Sequence, residues 1–364
     1  MYIKDLVLHD FRNYEDAEIS FSKDINILYG DNAQGKTNIV EAVYMLATTK
    51  SHRGSFDKEI ISFEREESHI SATLVKKDIE HRIDMHLRKN KNKQIAIDRI
   101  PIRKSGELMG LSNIIIFSPE DLSIIKNGPA ERRRFVDMEL CQLNRMYFSE
   151  LSDYNKVLNQ RNNLLRQLSH DRQGEDMLSV WDDQLIRYGT SVIRERESFV
   201  NMLNEIIKEI HAKLTGGKEE LSILYVKNTS EEGFRDALLA KRDADIRYQS
   251  TQTGPHRDDL DFMIGNMNVR KYGSQGQQRT VALSLKLAEI ELVKRMVDDK
   301  PILLLDDVMS ELDANRRDAL LEAIRDTQTI ITCTGYDDFI KKQLKINRIY
   351  KVTAGTITVD SAVY

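Results

Sequence analysis

Up to about residue 110, apolar positions come in short bursts: Ile19 and Phe21, Ile70 to Leu74, Ile83 to Leu87, and Ile95 to Ile97, each bounded by charged or turn-forming residues. Bursts of this length predict a mixed sheet region of short strands with one clear helix. From about residue 130 to 215 the period lengthens. Trp181, Leu185, Tyr188 and Val192, then Leu203, Ile207, Ile210 and Leu214, recur every three or four residues, which predicts a helical insertion ending at Thr215-Gly216-Gly217. Strand-like and helical segments then return, closing on a hairpin of Arg348 to Val352 and Thr356 to Val359 around Ala354-Gly355. No internal repeat or low-complexity tract interrupts the pattern.

Three places in this pattern carry chemistry. Ile25 to Tyr29 reads as a strand and runs into Gly30-Asp31-Asn32-Ala33-Gln34-Gly35-Lys36-Thr37, which fits Gly-x-x-x-x-Gly-Lys-Thr. Ile39, Val43, Leu46 and Ala47 follow on one helical face, so the strand, loop and helix expected around a P-loop are all present. Backbone N–H groups of such a turn cradle phosphate, Lys36 neutralises the β and γ phosphates, and Thr37 offers a hydroxyl to Mg²⁺. The expected ligands are therefore ATP and Mg²⁺.

Further on, Pro301 precedes Ile302-Leu303-Leu304-Leu305-Asp306-Asp307, a buried parallel strand that delivers two carboxylates at its C-terminal end, where α/β sheets bind ligands. Asp306 is expected to assist Mg²⁺ through its water shell, and Asp307 to orient or deprotonate the attacking water. An acidic helix cap would look the same in isolation. Between these segments, Tyr272-Gly273-Ser274-Gln275-Gly276-Gln277-Gln278 opens a long helix with Val281, Leu285, Ala288, Leu292 and Met296 on one face. That start is either a second anion site or a helix capped by Ser274.

Composition narrows the class. The 364 residues are 40% hydrophobic and 31% charged, enough for more than one folded domain and against global disorder. Lys plus Arg number 54 against 58 Asp plus Glu, a net charge of −4, so any nucleic-acid contact has to be local. Candidates are the run Arg88-Lys89-Asn90-Lys91-Asn92-Lys93 at a hairpin tip and Arg132-Arg133-Arg134 at the start of the insertion, though both also suit a solvated surface. Cys141 and Cys333 are far apart and the histidines lack metal-ligand spacing. No apolar run is long enough to span a bilayer, and Met1-Tyr2-Ile3-Lys4-Asp5 does not start a signal peptide, so a cytoplasmic protein without membrane association is expected.

The P-loop, the Ser-Gln-Gly-Gln-Gln turn, the Leu-Leu-Leu-Asp-Asp strand and Ser310-Glu311-Leu312-Asp313 together resemble the Walker A, signature, Walker B and D-loop segments of an ABC-type ATPase head. Leu8-His9-Asp10-Phe11-Arg12-Asn13-Tyr14, Ser51-His52-Arg53, Phe117-Ser118-Pro119-Glu120-Asp121-Leu122, Gly128-Pro129 to Asp137 and Thr253-Gly254-Pro255-His256-Arg257-Asp258-Asp259 further resemble the bacterial RecF family, over essentially the whole chain.

The resemblance implies an α/β ABC-type P-loop ATPase head with an inserted helical lobe. Its boundaries are expected at 1–120 for the N-terminal ATPase part, 121–250 for the insertion and 251–364 for the C-terminal ATPase part. It also implies two copies sandwiching two ATP molecules, with Ser274, Gly276 and Gln277 of one copy facing the γ-phosphate held by the other, and Arg12 reaching the nucleotide. An ATP-dependent homodimer would then clamp duplex DNA next to single-strand gaps, with RecR and RecO as partners and loading of the RecA recombinase as the outcome.

Two departures from the wider ABC pattern point to slow hydrolysis and an ATP-timed clamp rather than a fast motor. Asp307 stands where transporters carry the longer glutamate, and Thr332-Cys333-Thr334-Gly335 stands where many heads have a histidine, with Thr334 a candidate replacement. Glu120 and Asp121 lie where other heads carry a metal-contacting glutamine. The competing readings are the ATP-binding subunit of a transporter and a monomeric P-loop kinase.

Overall fold

The computed structural model describes residues 1–171, 173–335 and 346–360. The chain divides into two compact units, one formed by Met1–Asp121 with the described residues from Leu283 onward, the other by Leu122–Ala282.

In the first unit the early apolar bursts become an antiparallel sheet. It comprises β1 (Tyr2–Phe11), β2 (Tyr14–Ser20), β4 (Glu67–Lys76), β5 (Ile79–Arg88), β6 (Lys91–Ile97) and β7 (Ile100–Pro101), in the order β2-β1-β4-β5-β6-β7. A second sheet is ordered β15-β14-β3-β13-β12-β8. Its members are β3 (Ile25–Tyr29), β8 (Ile114–Phe117), β12 (Ile302–Asp306), β13 (Thr329–Cys333), β14 (Ile346–Thr353) and β15 (Thr356–Val359). The strands from β14 to β8 run parallel, and β14 and β15 form the expected hairpin, turned at Ala354 and Gly355.

Helix α1 (Lys36–Thr48) is buried over the whole stretch from Ile39 to Thr48 rather than on one face, because its side chains join a core shared with both sheets, including Leu6 and Leu8 of β1 and Leu304 and Ile330 of β12 and β13. Helices α2 (Asp57–Ile60) and α11 (Ala314–Ile324) also belong to this unit, the latter capped by Asp313, whose Oδ1 accepts from Arg316 N at 3.0 Å.

The second unit is mostly helical: α3 (Leu122–Lys126), α4 (Pro129–Leu143), α5 (Arg145–Leu168), α6 (Met177–Thr215), α7 (Phe234–Ala240), α8 (Arg242–Tyr248) and α9 (Val269–Tyr272). Helix α6 stops where the sequence predicts, at Gly216, whose φ of 63° is a conformation glycine adopts without steric cost. A small sheet, β9 (Leu221–Val226), β10 (Asp259–Ile264) and β11 (Met267–Asn268), belongs here too.

The expected boundary at 250 therefore lies too early for this unit. β10 pairs antiparallel with β9 from Asp259↔Val226 to Ile264↔Leu221, which ties residues 251–282 to the insertion. Helix α10 (Gln275–Val297) begins in this unit and continues from Leu283 as part of the first.

Candidate nucleotide site

The chain leaves β3 through Gly30 and re-enters regular structure at Lys36, with Gly35 as the residue before α1. Gly35 has φ 113°, strained for any side chain, and a Cβ there would lie 2.6–2.8 Å from the Asn13 amide and the Tyr14 hydroxyl, which would have to move aside. That turn clamps the loop: Asn13 Nδ2 donates to Gln34 O at 3.0 Å and Tyr14 Oη to Gly35 O at 3.0 Å. From the other side, Ala354 N donates to Gln34 Oε1 at 2.6 Å. Lys36 is only 4% exposed, and its ammonium donates to the carbonyls of Gly30 at 2.7 Å and Asp31 at 2.8 Å.

The parallel strands bring the two carboxylates of β12 to this loop. Thr37 Oγ1 donates to Asp306 Oδ1 at 3.0 Å, and Thr332 Oγ1 donates to the same oxygen at 2.7 Å. Burial pushes the Asp306 carboxyl above the ordinary aspartate value, against the pull of those two hydroxyls; the neighbouring Asp307 adds to the rise and Arg53 opposes it. Asp307 adopts φ 54°, ψ 15°, a left-handed conformation that costs a non-glycine residue roughly 1–2 kcal/mol. It is held there by its N–H donating to Thr332 Oγ1 at 3.0 Å and its carbonyl accepting from Ser310 Oγ at 2.9 Å.

The loop and the end of β12 open on a cavity of about 480 Å³. Its walls are loop residues 32–33 and 35–38, His52 and Arg53, Ser118 to Glu120, and Asp306 with Asp307. A buried lysine, a helix N-terminus and a threonine beside a carboxylate are the donor set a Mg²⁺–nucleoside triphosphate requires, so the residues fit that ligand.

Several expected site residues do other work. Gly30, Asp31 and Gln34 act through the loop hydrogen bonds above and are not in the cavity wall. Nor is Arg12: its Nε and Nη2 hold Glu41 at 2.8 and 2.7 Å, Nη2 also reaches Ser55 Oγ, and Nη1 reaches Glu59 O. The reason is Glu41, a fully buried carboxylate that needs a counter-charge. Glu120 lines the cavity, whereas Asp121 turns back to accept from Ser118 N at 2.8 Å.

Ser274, Gly276 and Gln277 open α10 in the second unit. Gln277 N donates to Ser274 Oγ at 3.2 Å and Ser274 N to Gln277 Oε1 at 2.9 Å, a reciprocal helix cap. Thr334 is exposed at the end of β13 and outside the cavity wall.

The basic runs divide in the same way. Arg132 is buried on Asp259 through bonds of 2.6 and 3.1 Å, and Arg133 donates to Asp258 O at 2.6 Å, so at least these two members of the arginine run are held by the protein itself. In the hairpin run, Lys89 pairs with Glu66 at 3.2 Å and Lys93 with Asp57 at 2.9 Å. Sequence reasoning singled out the Thr332 to Gly335 segment but chose Thr334, whereas the bonds to Asp306 and Asp307 come from Thr332; it missed Glu41, since a glutamate in a helix carries no signal of its own.

The family described as "RecF/RecN/SMC N terminal domain" matches residues 2–358. The protein named "DNA replication and repair protein RecF" from Lachnoclostridium phytofermentans is 57% identical over 357 residues, covering 98% of this chain and 99% of that protein. The chain belongs to the RecF family. Another protein of the same name, from Agathobacter rectalis, is 55% identical, with 99% of each chain covered.

Among solved structures, the recombination mediator protein RecF with ATP in the RecFOR pathway superposes with a TM-score of 0.93 at 34% identity, covering 99% of this chain and 98% of that one. The Smc head domain with an extended coiled coil from Pyrococcus furiosus, at 17% identity and a TM-score of 0.57, shows that this chain shares the fold of Smc heads. No helix among the described residues is long and apolar enough to cross a membrane.

Proposed function

We propose that this chain is an ATP-dependent DNA-binding protein of recombinational repair and replication-fork recovery. ATP closes a homodimer on duplex DNA beside single-strand gaps, RecR and RecO act with it to load the RecA recombinase, and slow hydrolysis reopens the dimer. DNA as the ligand places the work in the cytoplasm. The observation that carries the reading is the cavity in which P-loop residues Asn32, Ala33, Gly35, Lys36 and Thr37 meet Asp306 and Asp307. Full-length similarity to proteins named for DNA replication and repair, and to a RecF solved with ATP, supports it.

In this mechanism the loop N–H groups and the Lys36 ammonium bind the phosphate chain, and Thr37 and Asp306 would hold Mg²⁺, Asp306 through water. The metal supplies neutralisation of phosphate charge. Asp307 orients the attacking water and accepts its proton as oxygen bonds to the γ-phosphorus and the bond to ADP breaks, leaving ADP and inorganic phosphate. Aspartate is one methylene shorter than glutamate, so its carboxylate reaches the water less readily and turnover is slow.

The test compares affinity for a gapped duplex in ATP and in ADP, together with ATP hydrolysis with and without that DNA. Tighter binding in ATP and hydrolysis stimulated by DNA are expected. Equal DNA affinity in both nucleotides overturns the clamp.

A further inference from the structure

Thr332 stands on β13 directly beside Asp306 of β12 in the parallel register, and it is fully buried. Its hydroxyl makes two bonds. The hydrogen goes to Asp306 Oδ1 at 2.7 Å, and the oxygen accepts the N–H of Asp307 at 3.0 Å. Asp306 Oδ1 takes the Thr37 hydroxyl as well, at 3.0 Å. One side chain of the neighbouring strand thus touches both carboxylate residues at the end of β12, by the side chain of the first and the backbone of the second.

The rest of β13 gives the comparison. Ile330 and Ile331 precede Thr332 in the same strand, and all three are buried. A valine at 332 would fill nearly the same volume, with the same preference for a strand, and would bring no hydroxyl to desolvate. The hydroxyl is compatible with burial because both its donor and its acceptor functions are used, and both are used on the residues of the site. Asp307 has φ 54°, away from the conformations ordinary residues prefer, so its backbone needs a restraint of this kind.

We propose that Thr332 is a positioning residue for ATP hydrolysis, which keeps Asp306 beside Thr37 and locks Asp307 in its left-handed turn so that the two carboxylates keep a fixed relation to the P-loop. The inference rests on the ATPase reading above. It assigns Thr332 no contact with nucleotide: its effect passes through Asp306 and Asp307.

The experiment compares Thr332→Val and Thr332→Ser with the wild type in the full chain. It reads binding of a fluorescent ATP analogue with Mg²⁺ and with chelator, steady-state kcat and KM, and the thermal unfolding midpoint. The valine variant is expected to lose kcat by roughly 30- to 100-fold, the scale of a misplacement of about 1 Å at a reacting group, with KM and analogue affinity within about threefold. Serine restores the hydroxyl and is expected to keep kcat within about threefold of wild type.

A folded valine variant with wild-type kcat overturns the proposal. So does an equal loss in the valine and serine variants, which would make the methyl group, hence packing, the relevant part. If the valine variant does not fold, Thr332→Ala is judged by the same criteria. Wild-type protein that binds the analogue but never hydrolyses ATP would retire the ATPase reading itself, whereas wild-type turnover with an unaffected valine variant retires only the role of Thr332.

Discussion

The Lys36 ammonium is almost entirely out of water and rests on two carbonyls of its own loop, an arrangement that keeps a buried cation solvated by the backbone. Replacing it by methionine keeps the length and removes the charge. Lys36→Met is expected to weaken ATP binding at least about tenfold in a calorimetric titration, with the fold intact, and retained wild-type affinity would count against the P-loop assignment. Glu41 poses the opposite problem, a buried carboxylate whose pKa burial works to raise. The hydrogen bonds from Arg12 and Ser51 and the Arg12 charge outweigh that push and hold it below the ordinary glutamate value. Glu41→Ala would leave the Arg12 guanidinium without its bidentate partner and is expected to cost about 3–5 kcal/mol, read from the denaturant midpoint. If the loss is below about 1 kcal/mol, water takes over the role of Glu41, and Arg12 is free for other contacts.

Among elements, the sequence was most legible where a local signal sufficed. Gly216 ends α6, Ala354 and Gly355 turn the final hairpin, and the aliphatic run of β12 ends at Asp306 as its pattern predicts. It was least legible where the decisive partner is distant in sequence. Nothing in residues 251–282 announces that β10 will pair with β9, and nothing in Arg132-Arg133-Arg134 distinguishes the buried Arg132 from a solvated neighbour, because the distinction is made by Asp259.

His256, a residue in one of the recognised blocks, shows such a remote tie. Tyr154 of α5 meets its Nδ1 at 2.6 Å and Nε2 faces Thr251 O at 3.0 Å, an arrangement that a neutral ring with its proton on Nε2 satisfies at both ends. Burial pushes its pKa down to about 4; the Thr251 carbonyl opposes that push, and nearby arginines assist it. The unfolded ring takes a proton near pH 6.5. The neutral site therefore contributes fully above that pH and loses its contribution as pH falls toward about 4. About 2 kcal/mol of stability should disappear between roughly pH 7.5 and 5, and His256→Gln should flatten that part of the urea-midpoint profile. Parallel profiles for the two proteins would show that other groups govern the acid limb.

At the scale of the whole molecule, the net charge of −4 denies the chain a long-range attraction for DNA, and much of the expected basic surface is spent on Asp57, Glu66 and Asp259. A clamp model resolves this, since two copies that close around the duplex multiply a few local phosphate contacts instead of relying on one strongly basic face. Such a model needs the start of α10 to act on a second copy. In this chain Ser274 is exposed and its visible task is the helix cap, whose removal costs only about 1 kcal/mol. Ser274→Arg therefore tests assembly without threatening the fold. The mass in solution should stay that of a monomer with ADP, double with ATP and Mg²⁺, and double more readily when duplex DNA is added. The variant should bind ATP as a monomer and remain one throughout. A variant that dimerises normally removes Ser274 from the interface. Wild-type protein that stays monomeric in every condition keeps the P-loop chemistry but shifts the reading to a small-molecule kinase, which has no use for a signature acting across two copies.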